Sequence, residues 1–205
     1  DEGTTFMEFF EPMFGSGSQG LRAWTEATLP EVAGETDDHY PPTEPRTAWA
    51  DMFSDVLFAY PMRAWARGME NVESDAYLYF FTWVPPVEDS ERYGSFHAAE
   101  IGYVFGNVDL FGAKPTEKDR EFSDFMATVW TQFAKTGHPN GPGLPEWQPY
   151  SSDTEAYMEL GPNPGPKAEL RISQMDLIQR AWTARRASAN DSGVIGRMHS
   201  PLMVR

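Results

Sequence analysis

The chain contains no cysteine. That excludes a disulfide framework, a thiolate zinc site and a cysteine nucleophile. It leaves the compartment undecided, with a secreted or periplasmic location preferred over a cytoplasmic one. No apolar run approaches the roughly 20 residues that a membrane helix needs, so no membrane span is expected. Positive charge is scarce: 16 Lys and Arg stand against 31 Asp and Glu, a net charge of -15. Binding nucleic acid through phosphates needs clustered Lys and Arg, so nucleic acid is excluded as a partner. The average field favours cationic ligands instead. Gly15-Ser16-Gly17-Ser18-Gln19-Gly20 lacks the G-x-x-x-x-G-K-[ST] pattern, so it is a flexible connection and not a phosphate loop. No serine carries glycines at both positions of a G-x-S-x-G elbow, and no HGGG stretch occurs. There is no internal repeat, no signal peptide and no initiator methionine. The chain opens inside a motif, so its first residue is expected to follow a cut or lost segment.

What remains is a composition able to build a core. The 205 residues are 40% hydrophobic and 14% aromatic, enough for one sizeable domain or part of a larger one. Phe6, Phe9, Phe10 and Phe14 recur at near-helical spacing and predict a short core helix over 4–14, after a loop at 1–3. A further helix is expected over 21–33 despite Pro30, followed by a polar, proline-broken loop over 35–45. In that loop Asp37, Asp38 and His39 have no further ligand at a familiar spacing, so no metal site is expected. Trp49, Met52, Phe53, Val56, Leu57 and Tyr60 form a buried stripe on a helix over 47–70, which Pro61 should kink or break.

Residues 76–84 are a nearly continuous apolar and aromatic run stopped by Pro85-Pro86. Such a run suits a strand buried on both faces, as in a parallel sheet between helices. A second confident helix spans 116–135, with Thr116 as cap, Glu117 and Asp119 in its first turn, and Gly137 and Pro139 at its stop. His138 falls in that stop signal and reads as a turn residue. Short strands are expected at 156–160 and 170–172 as an edge pair. A last helix runs over 173–187 with Ser173 as cap and Leu177, Ile178, Ala181 and Trp182 inward. Residues 1–189 read as one unit and 190–205 as a tail without periodicity, in which His199 has no implied role.

Between strand and helix lies Gly94-Ser95-Phe96-His97-Ala98-Ala99-Glu100, followed by an apolar run from Ile101 to Phe105. Histidine titrates nearest neutral pH and is the usual general base. The loop after a central strand is where α/β sheets place their chemistry. From the residues alone, His97 reads equally well as a base or as a buried histidine closing a strand.

The wording resembles the type-B carboxylesterase and cholinesterase-like family. In that family a His is followed by two residues, a Glu, and then a V-F-G-N-like run, here Val104-Phe105-Gly106-Asn107. Asp1-Glu2-Gly3 resembles the family's D-E-G loop. Phe133-Ala134-Lys135-Thr136-Gly137-His138-Pro139-Asn140 and Trp147-Gln148-Pro149-Tyr150 are similar to two of its later segments. The bacterial para-nitrobenzyl esterases are most alike in these stretches.

The resemblance implies the C-terminal portion of an α/β-hydrolase, incomplete without an N-terminal segment. It also implies a carboxylic-ester hydrolase with Glu2 as triad acid and His97 as base. The order acid then His fits such enzymes, whose serine comes first. The serine and oxyanion hole would lie in the N-terminal segment, the expected partner beside a small-molecule ester. No cofactor is implied. Phe6 would line the acyl pocket, Glu100 would be a buried structural carboxylate, and Asp55 would pair with a C-terminal arginine, Arg180 rather than Arg185. The alternative is a cholinesterase-like adhesion or binding protein without catalysis. A free-standing interaction domain fits worse, because the strand at 76–84 needs parallel neighbours.

Overall fold

A computed structural model describes residues 2–191. Asp1 and residues 192–205 lie outside it, and with them His199 and most of the proposed tail. The first helix, α1 (Glu2–Phe14), starts at Glu2, where a loop was expected to run to Gly3. Gly3 lies so close to the next layer that a Cβ would stand 1.6 Å from the Ala50 carbonyl oxygen. α2 (Gly17–Thr28) absorbs part of the expected glycine linker and ends before Pro30. A short α3 (Thr36–His39) lies in the segment expected to be loop.

The long helix predicted over 47–70 is present without a break at Pro61. It comprises α4 (Pro45–Ser54), a single π turn (Asp55–Ala59) and α5 (Tyr60–Met69). A proline ring inside an α-helix clashes with the carbonyl four residues back and lacks the N–H that would bond there. The wider turn relieves both: the Tyr60 N–H reaches back five residues, to the Asp55 carbonyl, and Pro61 falls in the first turn of α5.

The strand predicted over 76–84 reduces to β1 (Tyr79–Phe81). After it come α6 (Ser90–Tyr93) and α7 (Ala99–Val104), so the apolar run after His97 is a short helix. α8 (Glu117–Thr136) has its predicted start: the Thr116 hydroxyl and backbone both bond the Asp119 carboxylate in a capping box, and Gly137 closes the far end in the left-handed conformation (φ 79°). β2 (Ala156–Leu160) was expected, but its hairpin partner is β3 (Gly165–Ala168) and not 170–172. Residues 169 and 171 turn left-handed there (φ 59° and 46°), which starts α9 (Ile172–Asp191) one residue before the expected cap Ser173.

The sheet order is β1-β2-β3, with β1 and β2 parallel (Tyr79 opposite Met158) and β2 and β3 antiparallel. β2 is thus central and β1 lies at an edge, where Tyr79 and Phe80 remain 41% and 39% exposed. One core packs Phe122, Met126 and Val129 of α8 on Met158 and Leu160. The other packs Trp24, Trp49 and Phe53 with Leu177, Ile178 and Ala181 of α9.

Candidate active site

The chain leaves β1 through Trp83 and Pro85-Pro86, passes α6, and turns to present His97. The segment is tied down along its length. The Ser95 hydroxyl donates to the Trp83 carbonyl (2.9 Å), and the Lys114 N–H donates to the Pro86 carbonyl (3.0 Å). Arg92 pairs with Glu8 of α1, a carboxylate that the Arg92 and Arg46 bonds hold below its usual range. Gly94 takes a left-handed backbone (φ 56°). The Ala99 N–H closes a turn onto the Phe96 carbonyl (3.0 Å), with Ala98 left-handed (φ 67°, ψ 9°), as the third residue of a type II turn must be. His97 stands at the tip of this turn and is exposed in this chain.

Behind the turn lies a buried carboxylate that the sequence reading took only as a first-turn residue. Asp119 accepts from the Trp83 indole (3.0 Å), the Tyr103 hydroxyl (2.8 Å) and Thr116. Burial acts to raise its pKa, yet these bonds, led by those of Thr116, hold it below the ordinary carboxylate range. The end of β1, α7 and α8 are thereby locked together around the histidine segment. Trp83 also stacks on Phe122 at 4.3 Å.

The other side of the site is the helix from Pro45 to Met69. The Gly3 N–H donates to the Ser54 hydroxyl (2.9 Å), which docks the start of α1 on that helix. Four residues on, the Phe58 ring lies over His97, centroids 4.8 Å apart and planes 30° apart. The backbone beside Glu2 and the imidazole of His97 therefore meet one helix at consecutive turns. The side chains of Glu2 and Phe6 lie outside the described residues. Glu100, expected buried, is half-buried and borders a cavity of about 560 Å³ shared with Asp51, Ser54, Phe58 and Ser95.

Asp55 is buried (1% exposed) and accepts from the Tyr40 hydroxyl (2.8 Å) and the Arg171 guanidinium (2.9 Å). Arg171 also reaches Asp51 at 2.9 Å. Burial pushes the Asp55 carboxyl up to about 6, against the opposing pull of Arg171 and Tyr40. The expected partner Arg180 is instead paired with Glu35, and Arg185 with Glu31. Both sit within α9 and reach the segment after α2, whereas Arg171 precedes the helix in a left-handed turn that lays it beside Asp55. A second network was missed. Glu155 accepts from Arg63, Arg67 and Tyr150, which ties α5 to the start of β2, and Arg63 also bonds Asp176 of α9. An arginine pair four apart on a helix was its only sequence signal.

No group of three or more His, Asp and Glu suited to a metal occurs among the described residues, and Asp37 is ion-paired with Arg22. Among them, too, no helix is long and apolar enough to cross a membrane.

Comparison with known proteins adds the following. The model of the "Carboxylesterase family" matches residues 8–178. Carboxylesterase 1C of Rattus norvegicus is 30% identical over 161 residues, covering 77% of this chain and 28% of the relative. Carboxylesterase 5A of Felis catus is 34% identical over 168 residues, covering 74% and 31%. A solved PNB esterase superposes with a TM-score of 0.69 at 27% identity, covering 87% of this chain and 36% of that one. A thermophilic PNB esterase gives 0.68 at 26%. The chain thus spans about a third or less of the proteins it matches.

Proposed function

The chain belongs to the carboxylesterase family, a portion of an α/β-hydrolase fold, and from that premise we propose that it supplies the acid and base of a carboxylic-ester hydrolase whose serine and oxyanion hole lie on another segment. The observation that carries this reading is the docking of both motifs on one helix: Gly3, beside Glu2, at Ser54, and His97 at Phe58 one turn on. Triad partners come from separate segments held at fixed geometry, and the start of α1 and the His97 turn are two such segments.

In this reading His97 takes the proton of the incoming serine hydroxyl as its oxygen bonds the ester carbonyl carbon. The C=O electron pair moves onto oxygen and gives a tetrahedral oxyanion. Collapse breaks the C–O bond to the alcohol, which leaves with the proton from His97. Water repeats the sequence on the acyl-serine, again giving its proton to His97, and releases the acid. Glu2 orients the imidazole and stabilises its cation. The open edge of β1 and the exposed Tyr79 and Phe80 support a neighbouring segment that covers them and brings the nucleophile.

The test is p-nitrophenyl ester hydrolysis by a polypeptide that joins this chain to a G-x-S-x-G segment. His97→Ala is expected to abolish turnover, and Glu2→Gln to lower it by up to about 10⁴-fold. Turnover that survives His97→Ala removes the histidine from the mechanism. An inert but folded parent would leave the binding-protein reading in its place.

A further inference from the structure

In the esterase reading a carboxylate orients one edge of the His97 imidazole, and an aromatic ring lies against its face. The Phe58 ring meets the His97 ring, tilted 30° from its plane at 4.8 Å between centroids. Phe58 is not on a mobile element. It lies in the π turn Asp55–Ala59, whose first residue is buried and bound by Tyr40 and Arg171. The next helical residues carry Arg63, held by Glu155 and Asp176. The turn is therefore anchored on both sides of Phe58.

We propose that Phe58 is a positioning residue for His97, resting on the esterase reading: its ring limits rotation of the imidazole and favours the imidazolium that forms during proton transfer. An aromatic face attracts a cation lying over it, and this attraction exists only when His97 carries the proton. The gain is thus realised in the transition state and not on substrate binding, so it acts on kcat and leaves KM alone. The orienting effect of a tilted aromatic pair adds to it.

The diagnostic substitution is Phe58→Leu, which keeps a large apolar side chain while removing the π face. In the joined, serine-bearing polypeptide kcat is expected to fall about two- to tenfold with KM for a p-nitrophenyl ester unchanged, and Phe58→Tyr is expected to restore it. In the 205-residue chain, proton NMR provides a readout free of turnover. A ring at this distance and tilt should shield the His97 ring protons, which are therefore expected to move downfield in Phe58→Leu but not in Phe58→Tyr. A parent polypeptide without turnover would overturn the esterase reading, and the ring-proton shifts would still decide the positioning. Unchanged ring-proton shifts in Phe58→Leu, or an unchanged kcat in a turning-over enzyme, would overturn the positioning role.

Discussion

Replacing Arg171 by methionine removes the cation from a buried acid while keeping an unbranched side chain. Position 171 is left-handed (φ 46°) in either case, and neither residue is glycine, so the backbone cost cancels. Breaking a buried pair by deleting one partner costs about 3–5 kcal/mol. The lower end applies here, about 3 kcal/mol, since Tyr40 still donates to Asp55 and the Arg171 side chain is itself 27% exposed.

The pH dependence follows from the direction of the Asp55 shift. Its carboxyl rises from 3.8 to about 6 on folding, chiefly through burial. Between those values the folded chain keeps a proton that the unfolded chain has released. Stability therefore falls as pH rises through this window, by about 3 kcal/mol in all. Without Arg171 the folded pKa climbs further and the loss continues to higher pH. Parent and variant should differ by about 3 kcal/mol at pH 7.5, where the parent's Asp55 is ionised and paired. At pH 5 the acid is protonated in both, and the gap should shrink to about 1 kcal/mol from lost hydrogen bonds and the half-exposed Asp51 pair. Urea unfolding followed by tryptophan fluorescence at the two pH values gives both numbers. A gap that is equal at pH 5 and pH 7.5 would refute the claim that Arg171 offsets a buried Asp55 charge.

Three further outcomes follow. Asp119→Ala strips a common acceptor from Trp83, Tyr103 and Thr116, and it should cost about 3–5 kcal/mol in chemical denaturation. Because the Asp119 pKa is lowered on folding, its contribution is present above about pH 4 and lost below it, so the parent–variant gap should close on acidification. Gly3→Ala forces a methyl against the Ala50 carbonyl oxygen and should destabilise by about 1–3 kcal/mol as α1 moves off Ser54, measured in the same urea assay. Glu155→Gln should loosen α5 from β2 by about 2–4 kcal/mol in the same urea assay, because Arg63 is nearly buried there.

How far these features are legible in the sequence depends on the range of the interaction behind each. The Thr116 cap and the Gly137 stop are local, and sequence reading finds both. The strand at 76–84 is legible in place but not in length, because a ladder extends only where a partner lies alongside, and β2 faces only Tyr79–Phe81. The hairpin partner was misplaced: Gly165–Ala168 has poor strand propensity, and its turn brings it onto β2 all the same. The partner of Asp55 lies 116 residues away, and no periodicity could choose Arg171 over Arg180. His97 was found through its resemblance to a family, and its exposure and its contact with Phe58 were not readable from composition or spacing.

The long helix explains why these distant pieces converge. Asp51, Asp55, Phe58 and Met62 recur at intervals of three or four residues, Ser54 lies beside Asp55, and all border the same cavity. Along that one face Asp51 and Asp55 hold Arg171, Ser54 holds the start of α1, and Phe58 meets the His97 ring. A proline in the middle of such a helix would ordinarily break the face into two. The π turn keeps it whole by adding one residue where the ring needs room, so α5 continues and Arg63 still reaches Glu155. The acid-bearing end of α1 and the histidine turn are therefore held at a spacing set by helix geometry, about 6 Å per four residues. In the proposed triad that spacing would keep acid and base at a fixed separation whatever the conformation of the flanking segments.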